Sequence, residues 1–263
     1  SFDNRISIDI GSGPIFADSL NRQGNSGDVS ATNDGSSVTL DINDANAVGS
    51  DTASANSNMT ASLDDNSIGS AAFGSSALNS VSATAGSNFT PTSGVSAATS
   101  SPSTSNDSNG AMEAHGNMVV LNSQRTYGFD GTPVNITAST TNAAIALNVP
   151  GGMDGGSTSS DGNRVTATAT ANDATNLISA ASGSGSGLPS ATINNAQQVS
   201  YANVSATVTS ATISTTVGGI GTGANLGGST SVVSNSISAA ATGNSAVNRI
   251  SSQGQSFTRS GSF

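Results

Sequence analysis

The stretch Val165-Thr-Ala-Thr-Ala-Thr-Ala171 sets a small or branched apolar residue against a hydroxyl residue at every second position. A period of two is that of a β-strand, in which alternate side chains point to opposite faces, so the Val and Ala line one face and the threonines the other. The first four residues of this stretch recur with substitutions of like kind. The copies are Val29-Ser-Ala-Thr32, Met59-Thr-Ala-Ser62, Val81-Ser-Ala-Thr84, Val95-Ser-Ala-Ala98, Ile136-Thr-Ala-Ser139, Val204-Ser-Ala-Thr207 and Ile237-Ser-Ala-Ala240. Four are answered nine residues later by a second apolar start, Val29 by Val38, Met59 by Ile68, Ile136 by Ile145 and Val204 by Ile213. Between or beside such runs lie turn formers, as in Asn33-Asp34-Gly35, Asp64-Asp65-Asn66 and Thr242-Gly243-Asn244. These tolerate left-handed backbone or bond to it locally, and the pattern reads as strand, turn, strand.

The copies start at irregular intervals, commonly roughly 30 residues, as in a degenerate internal repeat. Helix formers are scarce and Ser, Thr, Asn and Gly abound. The fold class expected is all-β, a β-solenoid-like stack of short Ala/Val/Ser/Thr strands whose small residues fill a narrow interior. A β-sandwich with a donated strand is the alternative, but sandwich cores lean on aromatics, and this chain has no Trp and 7 Phe. Four stretches read as loops or linkers: Thr90 to Asp107, Pro150 to Asn163, Ser182 to Pro189 and Gly218 to Gly228. They suggest N-terminal β repeats over 1–89, a Ser/Thr/Pro-rich loop over 90–110 and C-terminal β repeats over 111–263, or one continuous domain over 1–263.

Composition excludes several functions. The chain has no Lys and six basic residues in all, too few for a phosphate-binding surface, so nucleic acid is not an expected partner. No apolar run has the roughly 18 residues of a membrane helix. Without Cys there is no disulfide framework or thiolate chemistry. The 16 acids all lie at or before Asp173, which polarises the net charge of −10 along the chain. The opening at Ser1, with neither an initiator Met nor a signal peptide, is what a processed, secreted protein shows.

Sites of chemistry are sparse, and no enzyme is expected. A Ser-His-Asp set has only His115 to draw on, without a nucleophile elbow. His115 with Glu113 on one strand face is a minimal metal pair. Asp41, Asn43, Asp44 and Asn46 supply alternate oxygens and are weak candidates for structural calcium, the one cofactor considered; they lack the central Gly and terminal Glu of an EF-hand loop. Gly219-Ile-Gly221-Thr-Gly-Ala224 has dinucleotide-fingerprint spacing but no helix pattern and no following acid. The threonines of Thr166-Ala-Thr168-Ala-Thr170 raise an ice-binding array if neighbouring strands repeat them. Sequons at Asn58, Asn135 and Asn203 arise readily in an Asn-rich chain.

The segments Asn163-Arg-Val-Thr-Ala-Thr-Ala-Thr-Ala-Asn-Asp-Ala-Thr-Asn176 and Asn235-Ser-Ile-Ser-Ala-Ala-Ala-Thr-Gly-Asn-Ser-Ala-Val-Asn248 resemble repeats of holdfast-anchor surface proteins of stalked alphaproteobacteria. Within them, Gly243-Asn-Ser-Ala246 is similar to one element of the curlin repeat, whose family forms extracellular amyloid-like fibres. The resemblance covers scattered strands, implies a bacterial surface fibre and transfers no functional residue. The expected function is a self-assembling subunit of an extracellular filament or surface fibre, secreted and used for adhesion or anchoring. Its chief partner is then another copy, and Phe2, Ile6, Ile8 and Ile10 form a candidate inter-subunit strand, with an internal edge strand as the other reading. A monomeric surface adhesin or glycan-binding module and an ice-binding solenoid are the alternatives.

Overall fold

The computed structural model describes residues 2–12, 17–42, 56–88, 95–100, 111–150, 153–182, 190–217 and 229–253. The chain makes three similar passes through the same set of strand positions and begins a fourth. The first pass holds β1 (Phe2–Ser12), β2 (Ala17–Asn25), β3 (Val29–Asp34), β4 (Ser37–Asp41) and β5 (Asn56–Ser62). The second holds β6 (Ser67–Asn88), a hairpin of β7 (Val95–Ser100) and β8 (Ala111–Gly116), then β9 (Met118–Tyr127), β10 (Val134–Thr141), β11 (Ala144–Val149) and β12 (Met153–Asp161). The third holds β13 (Arg164–Ser182), β14 (Ala191–Ser200), β15 (Ala202–Thr209), β16 (Thr212–Val217) and β17 (Ser229–Val233), and β18 (Ser236–Gln253) opens the fourth. No described residue is helical.

Each strand pairs in parallel with its counterpart in the next pass. The resulting sheets run β1-β6-β13-β18, β2-β9-β14, β3-β10-β15, β4-β11-β16 and β5-β12-β17. The fold is thus all-β, with parallel strands stacked in several sheets in the β-solenoid-like manner. Among the described strands only β7 and β8 pair antiparallel. The repeated tetrapeptides meet in register: Ile136 stands between Val29 and Val204, and Ala138 between Ala31 and Ala206. Ile145 stands likewise between Val38 and Ile213. One pass separates partners by 68 to 76 residues, or by 97 to 108 where it contains the β7–β8 hairpin. The structural repeat is therefore a whole five-strand pass, more than twice the spacing of the tetrapeptides.

Of the strands from residues 1–89, β2 to β6 pair with strands from residues 111–263, and β1 pairs with β6. Two stretches that read as loops contain strands. β12 pairs on both sides, with β5 and β17, despite its glycines, because a strand already in place offers a row of bonding partners that outweighs weak local preference. β7 lies within the Ser/Thr/Pro stretch. Residues 183–189 and 218–228, the latter including the Gly219 to Ala224 fingerprint, lie outside the described residues. The turn expected at Thr242-Gly243-Asn244 is an irregularity inside β18. The pairing there skips Ala171, passing from Thr170↔Thr242 to Asn172↔Asn244 and from Thr170↔Phe73 to Asn172↔Ser75 with no change of register. Gly74 marks the same place in β6, where a Cβ would stand 2.6 Å from the Ala171 carbonyl oxygen and 2.8 Å from Thr126 Oγ1.

Inward residues form apolar clusters. Ile136, Ala138, Ala72, Ala167 and Ala169 pack the β10 sheet on the first half of β6 and β13. Val81, Ile178, Met118 and Val120 pack the second half of those strands on β9. Ile145, Leu147, Val149, Ile68 and Val165 form a third cluster. The many alanines let backbones approach closely, which is how so few bulky side chains fill the interior.

Candidate assembly surface and the amide ladders beneath it

Between the first two clusters the interior is polar. On β9, Met118 and Val120 point inward and are followed, on the same face, by Asn122, Gln124 and Thr126, all buried. On β13, Ala167 and Ala169 give way to Asn172 and Asn176, also buried. An unpaired amide buried in such a place costs several kcal/mol (roughly 2–7), so each must find a partner. Parallel in-register stacking supplies one. Strands about 4.8 Å apart bring identical amides within bonding reach, and an amide both donates and accepts.

Asn4 Nδ2 donates to Asn79 Oδ1 at 2.9 Å, Asn79 to Asn176 at 2.8 Å, and Asn176 to Asn248 at 2.8 Å. A facing ladder runs from Asn21 through Asn122 to Asn195, with both bonds at 2.5 Å. The two are tied by Asn79 to Asn122 at 3.2 Å and Asn176 to Asn195 at 3.3 Å. Beside them Gln197 donates to Gln124 at 2.7 Å and Gln124 to Gln23 at 3.2 Å, and Gln124 also donates to the Asp173 carbonyl at 2.7 Å. Asn172 donates to Asn244 at 2.8 Å. At the next corner Asn66 donates to Asn163, whose backbone N–H donates to Asn235 Oδ1. Sequence reading missed these residues. The available signal was an Asn or Gln returning at one fixed offset, as with Asn172 and Asn244 or Asn176 and Asn248, each pair 72 apart.

Among the described residues both ends of this stack are rows of unpaired strand edge, and nothing pairs with the outer sides of β1–β5 or of β14–β18. The two ends differ in chemistry. β1–β4 carry Asp3, Asp9, Asp18, Asp34 and Asp41 against Arg5 and Arg22. Asp3 accepts from Arg5 Nε at 2.8 Å, which raises the Arg5 pKa, and burial pushes the Asp18 carboxyl above its ordinary value. β14–β18 carry no acid, no Lys, no Pro and one charge, Arg249. There Val232, Val233, Ile237, Val247 and Ile250 are about half exposed. An uncovered edge with apolar side chains and few charges invites another strand.

The sequence candidates fall in scattered places. β1 pairs with β6 of its own chain, setting Phe2 opposite Ala77, Ile6 opposite Val81, Ile8 opposite Ala83 and Ile10 opposite Ala85. Ile6 and Ile8 pack against the Val81 cluster. Asp41, at the end of β4, accepts from Asn148 Nδ2 at 2.6 Å, while Asn43, Asp44 and Asn46 lie outside the described residues. No three His, Cys, Asp or Glu side chains gather among the described residues. His115 and Glu113 stand on β8, opposite Ser96 and Ala98. Thr166 and Thr168 stand between Gly69 and Ser238 and between Ala71 and Ala240, while Thr170 stands between Phe73 and Thr242, so of the three only Thr170 meets another threonine. Asn135 and Asn203 bond to each other, and Asn135 also to Asp28. No helix of the described residues is long and apolar enough to cross a membrane.

No protein-family model, curated protein or solved structure matches the chain.

Proposed function

We propose that this chain is a structural subunit of an extracellular filament or surface fibre, built by end-to-end addition of copies and serving adhesion or anchoring. One observation carries the reading: the β14–β18 edge repeats the bonding pattern of every internal joint, yet among the described residues it carries no acid, Lys or Pro, a single charge at Arg249 and no covering strand. Asn248, the last amide of its ladder, stands exposed there beside Val247 and Ile250. A second copy that continued the ladders would meet it with acid-rich strands, and a nearly neutral edge offers those acids no like charge. Closure of the stacked sheets into a continuous solenoid is part of this proposal. The weak resemblance to holdfast-anchor and curlin repeats points to the same kind of assembly.

Electron microscopy of the purified protein at neutral pH tests the reading. Unbranched filaments about as wide as one stack are expected, and Val232→Lys with Ile250→Lys should abolish them while leaving the far-ultraviolet circular dichroism unchanged. Dispersed particles at every concentration tried would sink the proposal and leave the monomeric surface adhesin.

A further inference from the structure

The chain has nine aromatic residues, 7 Phe and 2 Tyr, and no Trp. Both tyrosines, Tyr127 and Tyr201, and Phe129 fall at one corner, where β9 passes to β10 and β14 to β15. An insertion builds this corner. Partners of the second and third passes are 73 residues apart before it and 68 after it, so the second pass carries five extra residues. Insertions of this kind in stacked repeats collect on one face, often the face that binds. The Gly128–Pro133 loop is closed by Thr132 N–H donating to the Phe129 carbonyl at 2.9 Å, and Asp130 and Gly131 take φ of 53° and 76°. Gly128 is fixed by contact, since a Cβ there would strike the Thr132 carbonyl and stand 2.5 Å from that of Tyr201.

Packing does not explain the rings. Phe129 is 61% exposed and Tyr201 70% exposed, so neither contributes to a core. Tyr201 also takes φ of 48°, a conformation that bulky residues seldom adopt. The other corners at such φ hold Gly, Asp, Asn or Ser among the described residues, so the turn itself does not call for a ring at this position. A cleft of about 220 Å³ opens between Arg125, Phe129, Asp130, Ser200 and Tyr201. The Arg125 guanidinium lies 4.2 Å from the centre of the Tyr127 ring. Its Nε is buried without a hydrogen-bond partner, and no described carboxylate lies within ion-pair distance of it. Asp130, the acid in the cleft wall, is accounted for by its place in the turn, where Asp tolerates left-handed backbone.

The geometry points to a binding site for an acidic saccharide at this corner, with a pyranose ring on Tyr201 and Phe129 and its carboxylate on Arg125. The C–H face of a sugar ring buries apolar area on an aromatic face, and a rigid ring held by a sheet corner loses little entropy on contact. A guanidinium already held by a stacked ring is oriented to take a carboxylate in two parallel hydrogen bonds. The site does not depend on assembly and serves a fibre and a monomer alike.

Tyrosine emission reports on this corner directly, because the only two tyrosines stand there. Titration of the soluble chain with tri-galacturonate should change that emission saturably, with cellotriose binding about five-fold more weakly. Tyr201→Asn, which keeps a residue suited to positive φ, should weaken tri-galacturonate about ten-fold without lowering the melting temperature. Phe129→Ala, on the exposed loop, should weaken it too, and Arg125→Gln should make the two sugars equal. No saturable change, affinity unmoved by Y201N and F129A, or the same response to sodium sulfate at equal ionic strength would each overturn the inference.

Discussion

Asn176 stands at the middle of a four-amide ladder, donating to Asn248 and accepting from Asn79, with Asn195 across the interior. Removing it strands polar partners away from water, and that desolvation outweighs the loss of one bond. Asn176→Ala should therefore cost about 1–3 kcal/mol in denaturant unfolding. Asn248→Ala at the exposed end of the same ladder should leave unfolding nearly unchanged and slow filament growth, so the two variants separate fold from assembly. Composition disclosed an Asn-rich chain but not this use of it. An Asn in a turn and an Asn in a buried ladder look alike in sequence, and turn chemistry is the commoner reason for the residue.

Among the elements, the corners carry the clearest strain. Gly35, Asn142 and Ser210 occupy equivalent corners of three successive passes, at φ of 71°, 53° and 53°. Asp65, Gly162 and Ser234 do the same at another corner, at φ of 57°, 67° and 55°. A residue with a Cβ is strained at such φ, while Gly is not but loses more chain entropy on folding. Ser210→Gly and Ser234→Gly should each stabilise by about 0.5–1 kcal/mol, seen as a rise in melting temperature. Gly74→Ala has the opposite sign, because its Cβ would meet the Ala171 carbonyl and Thr126. The variant should lower the melting temperature clearly, whereas Gly27→Ala, with nothing near its Cβ, should not. Alternation of Val, Ser, Ala and Thr made the strands of these elements legible. Their partners were not, because a period-two pattern says which face is buried and nothing about which strand lies alongside.

At the scale of the molecule, charge sets the response to pH. Joining copies would cover acids of the β1–β4 edge, and Asp18 already shows what burial does, its carboxyl rising above the ordinary value. A carboxyl raised further in the joined state binds more protons there than in the free subunit. Assembly should therefore strengthen as pH falls from neutral towards the carboxylate range and weaken as it rises, and relief of the net charge of −10 acts in the same direction. Sedimentation of the polymer across that range measures it; a critical concentration that rises on acidification contradicts the end-to-end joint.

By itself the sequence determined an all-β chain of half-buried strands with small inward residues and an interior poor in aromatics, because side-chain alternation and composition are local properties. Only the tertiary structure decided that the repeat is a whole five-strand pass, that a Gly-rich stretch such as β12 is a strand, and that Asn4, Asn79, Asn176 and Asn248 form one ladder. Each of those depends on parallel register between residues some seventy or more positions apart, and register is a property of paired backbones rather than of any single segment.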